Sequence, residues 1–555
     1  MRFYLFNFIA LIMLASCSPV EQGRSFRPTG DFNTIAPVGF ILHSNEFNSI
    51  TRTPLITWSP SASSDVLYYE YSIGSSAGET DVLGWRSNDL VTSLQVSGLS
   101  LEKNQTYFIN IRAVGPNSKT SAVTSSSGWR ATYDWRQRAD IKASNAEQED
   151  FFASSVAIHG DTLVVGAEHE GSSQNWITNG GNASNNNASP GSGAAYVYIR
   201  ENDEWRQQAY LKASNSEPND RFGSTVAIYE DTIVVGAPGE DSSQNVITNG
   251  STASNNNASP NSGAAYVFVR NASGQWSQQA YLKVSNSSQD DAVGSKLTSS
   301  ISIYEDTIVI GNSLEDHSSR SITPGRMTNN DGLAGNSGAV YVFQRSNNQW
   351  SQQAYIKASN ADAGDLFGSS VSLIKDSLVV GADGESSNQN FISQGQNASS
   401  DNSALDSGAA YVFERSGSQW SQQAYLKASN SDADDLFGEK VAIDGDVILI
   451  SSPIEKSSQN FCSQDNEASD DNSLHTAGAG YVFVRQNNQW VQKAYLKASN
   501  ADLGDALSDV IALAGETVVL GTMFEKSGER GISHGESASS DNSSNLAGAV
   551  YVYTP

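Results

Sequence analysis

The sequence predicts an all-β protein, a β-sandwich followed by a β-propeller of six four-stranded blades. Three observations lead there. Six copies of one pattern about 70 residues long run from Trp135 to the end, ruled by Trp135, Trp205, Trp276, Trp350, Trp420 and Trp490 at spacings of 70, 71, 74, 70 and 70. Each copy holds four short apolar alternations bounded by Gly, Asn and Ser, with no helical period. A hydrophobic content of 38%, with Trp 10, Tyr 21 and Phe 20, is enough to bury a core.

Residues 1–16 read as a secretory signal: Arg2 supplies the charge, Phe3 to Leu14 the apolar run, and small residues precede Cys17. Leu14-Ala15-Ser16-Cys17 resembles the lipobox of bacterial lipoproteins. That resemblance implies cleavage before Cys17 and acylation of its thiol and new amino terminus. Ser18 is not the aspartate that holds members of that family at the inner membrane, so an outer-membrane, surface-exposed anchor is expected. Residues 17–35 are polar and aperiodic, as a tether should be. No second apolar stretch of about 18 residues follows, which leaves lipid as the membrane attachment. Cys462 takes the repeat position of Ile177, Ile247 and Ile392 and reads as a small buried hydrophobe.

Residues 36–132 predict the sandwich. Leu55 to Trp58, Tyr69 to Ile73 and Tyr107 to Ala113 alternate between turns of Ser, Asn and Gly. Trp58, and Leu101 six residues before Tyr107 with Ile111 and Ala113 after it, resemble the early core tryptophan and tyrosine corner of a fibronectin type III domain. Such domains are spacers or adhesive modules.

Residues 133–555 predict the propeller. In the second copy the strands are Phe222 to Ile228, Thr232 to Ala237, Ala264 to Arg270 and Trp276 to Lys283. Tyr229-Glu230-Asp231 makes a tight hairpin between the first two. Some 25 residues of Ser, Asn, Gly and Asp join the second to the third, long enough to require a reason. The region opens on a lone fourth strand, residues 135–142, and stops after a third, Gly548 to Tyr553. Pairing these ends completes a sixth blade and removes two raw edges; a seventh would need residues assigned to the sandwich. The tryptophans, with Tyr210 and Tyr266, are expected to pack between blades. Trp176 is expected to anchor its own loop.

The pairs Phe222-Gly223 and Gly236-Ala237-Pro238 resemble the FG-GAP repeat of integrin α subunits and bacterial surface proteins. They drift elsewhere, to Phe152-Ala153, Phe367-Gly368 and Phe437-Gly438, with Leu297-Thr298 and Leu507-Ser508 standing in the third and sixth copies. Integrin calcium sites lie in an Asp-rich loop between the first two strands. The short hairpins here, such as Tyr304-Glu305-Asp306, have no room for one.

Carboxylates recur instead in the links between blades. Asp150, Asp220, Asp365, Asp435 and Asp505 stand two residues before strand one, Ser295 being the exception, and Glu147, Glu217, Asp362, Asp432 and Asp502 stand three residues upstream. Acid pairs at this spacing are candidate oxygen ligands for Ca2+. Asp and Asn before a strand are also turn formers, and one duplicated turn would look the same. In an up-and-down blade the links and the long loops emerge on one face, so these aspartates should meet Glu240, Asp241, Asp383, Glu385 and the pairs Asn186-Asn187, Asn256-Asn257, Asp401-Asn402, Asp471-Asn472 and Asp541-Asn542.

A net charge of -27 with 33 basic residues argues against nucleic acid. The six histidines share no repeat position, and there is no nucleophile elbow, phosphate loop or paired cysteine. The expectation is a lipid-anchored envelope protein whose non-catalytic propeller binds a protein or glycan on its loop face. A polysaccharide-active glycosidase or lyase, for which the acidic face offers carboxylate pairs, and a structural envelope component are the alternatives.

Overall fold

The computed structural model describes residues 40–42, 55–61, 66–95, 105–126, 128–130, 139–201, 204–295, 300–528, 533, 535, 538–544 and 546–554. The signal, Cys17 and the tether fall outside them. The chain forms two units, residues 1–138 and 139–555. Among the described residues the one helical element is a 3-10 turn, Pro116–Ser118.

The first unit holds two antiparallel sheets. One orders Phe40–Leu42, Leu55–Trp58 and Ser93–Gln95. The other orders Leu83–Ser87, Tyr68–Gly74, Thr106–Val114 and Thr124–Ser125, with Trp129–Arg130 also on Thr106–Val114. Tyr107, Ile109, Ile111 and Ala113 alternate inward and are buried with Trp58, Tyr69 and Ile73. Trp58 meets Tyr69 edge-on at 5.8 Å. Leu101 lies outside the described residues.

The second unit is a succession of six sheets. In the second sheet the order is Val226–Tyr229, Thr232–Ala237, Ala264–Arg270, Trp276–Leu282, Thr248–Asn249, and four other sheets repeat it. The expected four strands are therefore joined by a fifth. Thr248–Asn249, drawn from the long loop, pairs with Tyr281 and Ala280 on the outer edge; two residues are too few to show a period. This is part of why the loop is long. First strands of consecutive sheets touch from Phe152–His159 through Val510–Ala514.

Strand one of the second sheet begins at Val226 instead of Phe222 because Phe222-Gly223 serves another purpose. Phe222 makes a parallel bridge to Gly193 of the preceding sheet, and Gly223 turns at φ 97°. A Cβ on Gly166 would stand 2.0 Å from the Gly223 carbonyl oxygen, and one on Gly381 1.9 Å from that of Gly438. The two motif glycines of adjacent copies thus touch, backbone on backbone. The bridge from Gly263 goes to Val293, which corrects the third copy. Val293-Gly294 stands there for Phe222-Gly223, in place of Leu297-Thr298, and Asp291, not Ser295, is the partner of Asp220.

Between the sheets lies an apolar core. Val164, Val197 and Leu211 of the first sheet are buried against Ile233, Phe268 and Trp276 of the second. Phe222 meets Tyr266 edge-on at 5.4 Å and Phe268 at 5.9 Å. Trp276, Trp350, Trp420 and Trp490 pack between sheets: Trp276 Nε1 donates to Gln208 Oε1 of the previous sheet at 2.8 Å, and the Arg270 guanidinium lies 5.2 Å over its ring.

The sixth sheet has three strands among the described residues, Val510–Ala514, Thr517–Thr522 and Ala549–Tyr553. Of the expected closing strand 135–142, residues 135–138 lie outside the described residues, and Ala139 to Lys142 form no strand.

Candidate functional site

Links and long loops do meet on one face. Asn402 Nδ2 donates to Asp362 Oδ2 at 3.2 Å, Asn472 to Asp432 at 2.8 Å and Asn542 to Asp502 at 3.1 Å. Asn187 and Asn257 likewise hold Glu147 and Glu217. Each upstream acid of the predicted pairs is thereby committed to the loop of its own copy.

The downstream acids close turns. Oδ2 of Asp150, Asp220, Asp291, Asp365, Asp435 and Asp505 accepts the backbone N–H three residues earlier, at 2.9, 2.8, 2.6, 2.7, 3.0 and 2.8 Å. Burial pushes Asp220 and Asp291 up to about 8, and Asp365 and Asp435 to about 7. The Asp150 and Asp505 carboxyls are raised by burial too. In the last two copies a lysine reaches the free oxygen, Lys456 at 3.1 Å from Asp435 Oδ1 and Lys526 at 3.4 Å from Asp505 Oδ1. Among the described residues no three His, Cys, Asp or Glu side chains converge as a cation would require. The aspartates fit turns better than a calcium cage.

Beneath this face runs a network that motif reading missed. Lys212, fully buried at the end of strand four, donates to Glu170 Oε2 at 3.0 Å, Ser192 Oγ at 2.9 Å and the Gly193 carbonyl at 2.6 Å. Glu170 Oε1 accepts from Asn145 Nδ2 at 3.0 Å, and Asn145 Oδ1 accepts from the Tyr196 hydroxyl at 2.6 Å. Lys283–Glu240, Lys357–Glu315, Lys427–Glu385 and Lys497–Glu455 repeat the ion pair. Burying an ion pair is costly unless its remaining hydrogen bonds are met, and here they are. The signal in the sequence was the recurrence itself, a lysine closing strand four and a glutamate opening the long loop in step with it.

Trp176 does not anchor its loop. Its side chain is 62% exposed, and Gln174 does the anchoring, with Nε2 donating to the Trp176 carbonyl at 2.6 Å and to Thr178 Oγ1 at 2.9 Å. Cys462 is partly buried against Leu449 and Leu496, in keeping with a small hydrophobe.

These sheets and their shared loop face define a β-propeller-like repeat protein. Four segments of it match the FG-GAP repeat family, residues 135–198, 205–268, 350–413 and 420–483. No curated protein matches the chain. Among solved structures, an α-L-rhamnosidase of Streptomyces avermitilis complexed with L-rhamnose aligns at 10% identity and a TM-score of 0.14, over 68% of this chain and 53% of that one. The chain thus spans about half the length of that enzyme. SGBP-B of the Bacteroides ovatus mixed-linkage glucan utilization locus, in complex with a mixed-linkage heptasaccharide, aligns at 12% identity and a TM-score of 0.12, over 80% and 91%.

Proposed function

We propose that the protein is a component of the bacterial cell envelope, anchored through Cys17 to the outer membrane and facing outward, whose non-catalytic propeller binds a protein or glycan ligand. The first unit, with its two sheets around Trp58, is read as a fibronectin type III spacer. The observation that carries the binding reading is the tying of each long loop to its link by an Asn–carboxylate bond in five copies. Loops held in one arrangement and repeated around a face offer many weak contacts to one ligand, and those sum.

The propeller is proposed to have six blades, closed by residues 135–142. Glu525 is buried like its five counterparts, yet among the described residues no lysine pairs with it. Lys142 has the register for that place. The Tyr198 hydroxyl donates to its carbonyl at 3.1 Å, as Tyr553 donates to that of Lys497, and its side chain is exposed. A cleft of about 1660 Å³ runs between the fifth and sixth sheets past Glu525 and the strand Ala549–Tyr553. Trp205 of the first sheet is half-buried where Trp276, Trp350, Trp420 and Trp490 are buried.

Any calcium requirement would rest on Asp150, Asp220, Asp291 and Asp365, the buried link aspartates that no lysine reaches among the described residues. The test is capture of partners from envelope and host extracts by the purified protein, in millimolar calcium and in chelator. Specific capture that weakens when Asp362, Asp432 and Asp502 become Asn supports the loop face. Capture indifferent to those changes removes that face, and capture equal in chelator removes calcium.

A further inference from the structure

The long loops carry a second repeated feature that the fold does not need. Trp176, Val246, Phe391 and Phe461 take the same place in four copies, just before the outer two-residue strand, and are 62%, 41%, 61% and 55% exposed. Their backbone is held firmly. Gln389 Nε2 donates to the Phe391 carbonyl at 2.6 Å and to Ser393 Oγ at 3.0 Å, and Gln174, Gln244 and Gln459 hold the other three in the same way. The clamp is rooted in the core: Gln174 N–H donates to Ser172 Oγ at 3.1 Å, and Ser172 N–H to Glu170 Oε2 at 3.2 Å, the carboxylate that binds Lys212.

The glutamine holds the loop, so the side chain it presents is free to be anything. Ser321 takes the place in the third copy. A lone exposed apolar side chain is ordinary on a protein surface, but the same position held out by the same clamp in four copies is a repeated feature, and the recurrence points to an external partner. Its chemistry follows from the surroundings. The place offers one large apolar side chain in each of four copies, less than the apolar core that a stable protein interface buries. The same loops carry exposed amides and hydroxyls, such as Asn175 preceding Trp176 in the chain, and Ser173 and Asn186, which bond to each other at 2.7 Å. A net charge of -27 disfavours anionic polymers and anionic membranes. Exposed apolar side chains among hydrogen-bonding amides, aromatic in the first, fourth and fifth copies, suit a neutral polymer of pyranose rings, whose C–H faces stack on aromatics while its hydroxyls meet amides.

We infer that Trp176, Phe391 and Phe461 are stacking platforms for a neutral polysaccharide, with Val246 a weaker fourth contact. This rests on the binding function proposed above and names the class of its ligand. The test is depletion of the full-length protein from solution by amorphous cellulose and by chitin, beside phosphatidylcholine vesicles. Depletion by either polysaccharide is expected, falling at least tenfold in the triple variant Trp176→Ala, Phe391→Ala, Phe461→Ala. Because all three side chains are exposed, the variant should melt with the wild type, which separates lost binding from lost folding. Depletion by neither polysaccharide, depletion unchanged in the triple variant, or depletion by the vesicles alone each overturns the inference. If the triple variant still captures partners from envelope and host extracts while polysaccharide binding is absent, the general binding function stands and the stacking platforms fall. If capture and depletion are both absent in the wild type, both fall.

Discussion

Asp291 shows how one residue can be visible in a sequence and still be misplaced. The third copy spaces its tryptophans by 74 residues instead of 70, and in that shifted frame Ser295 seemed to interrupt the row of aspartates; the parallel bridge from Gly263 to Val293 restores it. What the side chain does also follows from depth. It is 2% exposed, accepts the Ser288 N–H, and burial pushes it up to about 8. An aspartate in the unfolded chain titrates near ~3.9, so between that pH and about 8 the native state holds the extra proton. The stability this confers is full below about pH 4 and is lost as pH rises through 8. Asp291→Asn keeps the acceptor without the charge. Urea unfolding at pH 6, 7.5 and 9 should show the variant losing less stability with pH than wild type, by up to about 1.4 kcal/mol per pH unit. Parallel profiles would mean that Asp291 is ionised throughout.

At the scale of the element, the six-fold pattern and the second and third strands were readable because alternation and turn residues recur in register, whereas strand one begins at Val226 instead of Phe222. The two-residue outer strand was not readable, since nothing in Thr248-Asn249 sets it apart from its polar loop. The Phe-Gly and Gly-Ala pairs were readable as a motif, but their purpose appears only when adjacent copies are placed side by side. A Cβ on Gly311 would lie 2.1 Å from the Gly368 carbonyl oxygen. Backbone on both sides can yield only by separating the sheets. Gly311→Ala is therefore expected to cost about 3 kcal/mol or more, whereas Gly84→Ala, with nothing within 4 Å, should fall within about 0.5 kcal/mol. Chemical denaturation of the two variants compares them directly. Equal stabilities would show that the sheets can part at no cost. The last junction departs from the rule: Ser451 and Ser508 replace both glycines, and Ser508 Oγ accepts the Ser452 N–H at 3.2 Å.

For the whole molecule the question is how the array ends. Among the described residues, five buried lysine–glutamate pairs and a sixth glutamate, Glu525, with which no lysine pairs make closure through Lys142 testable by single substitutions. Removing one partner of a buried pair costs about 3–5 kcal/mol because the other is left charged and unpaired. Lys142→Met should then lower stability as much as Lys427→Met does, and Glu525→Gln should recover part of the loss in the Lys142 variant. If Lys142→Met melts with the wild type while Lys427→Met does not, the sheets do not close through this lysine.

The sequence by itself determined that the protein is all-β, repeated and built from like sheets, because period-two alternation and a fixed spacing are local properties that need no partner to be seen. It also marked the face where links and long loops converge, since strand order decides at which end each loop emerges. Only the tertiary structure decided what the acids there do. Whether a carboxylate binds a cation, a lysine or its own backbone depends on which groups the fold brings within about 3 Å, and those lie tens of residues away: Asn187 for Glu147, Lys456 for Asp435, Lys212 for Glu170. Exposure was decided at the same level. A glutamine clamp two residues upstream, invisible as a motif, turned Trp176 from an expected anchor into a side chain offered to solvent.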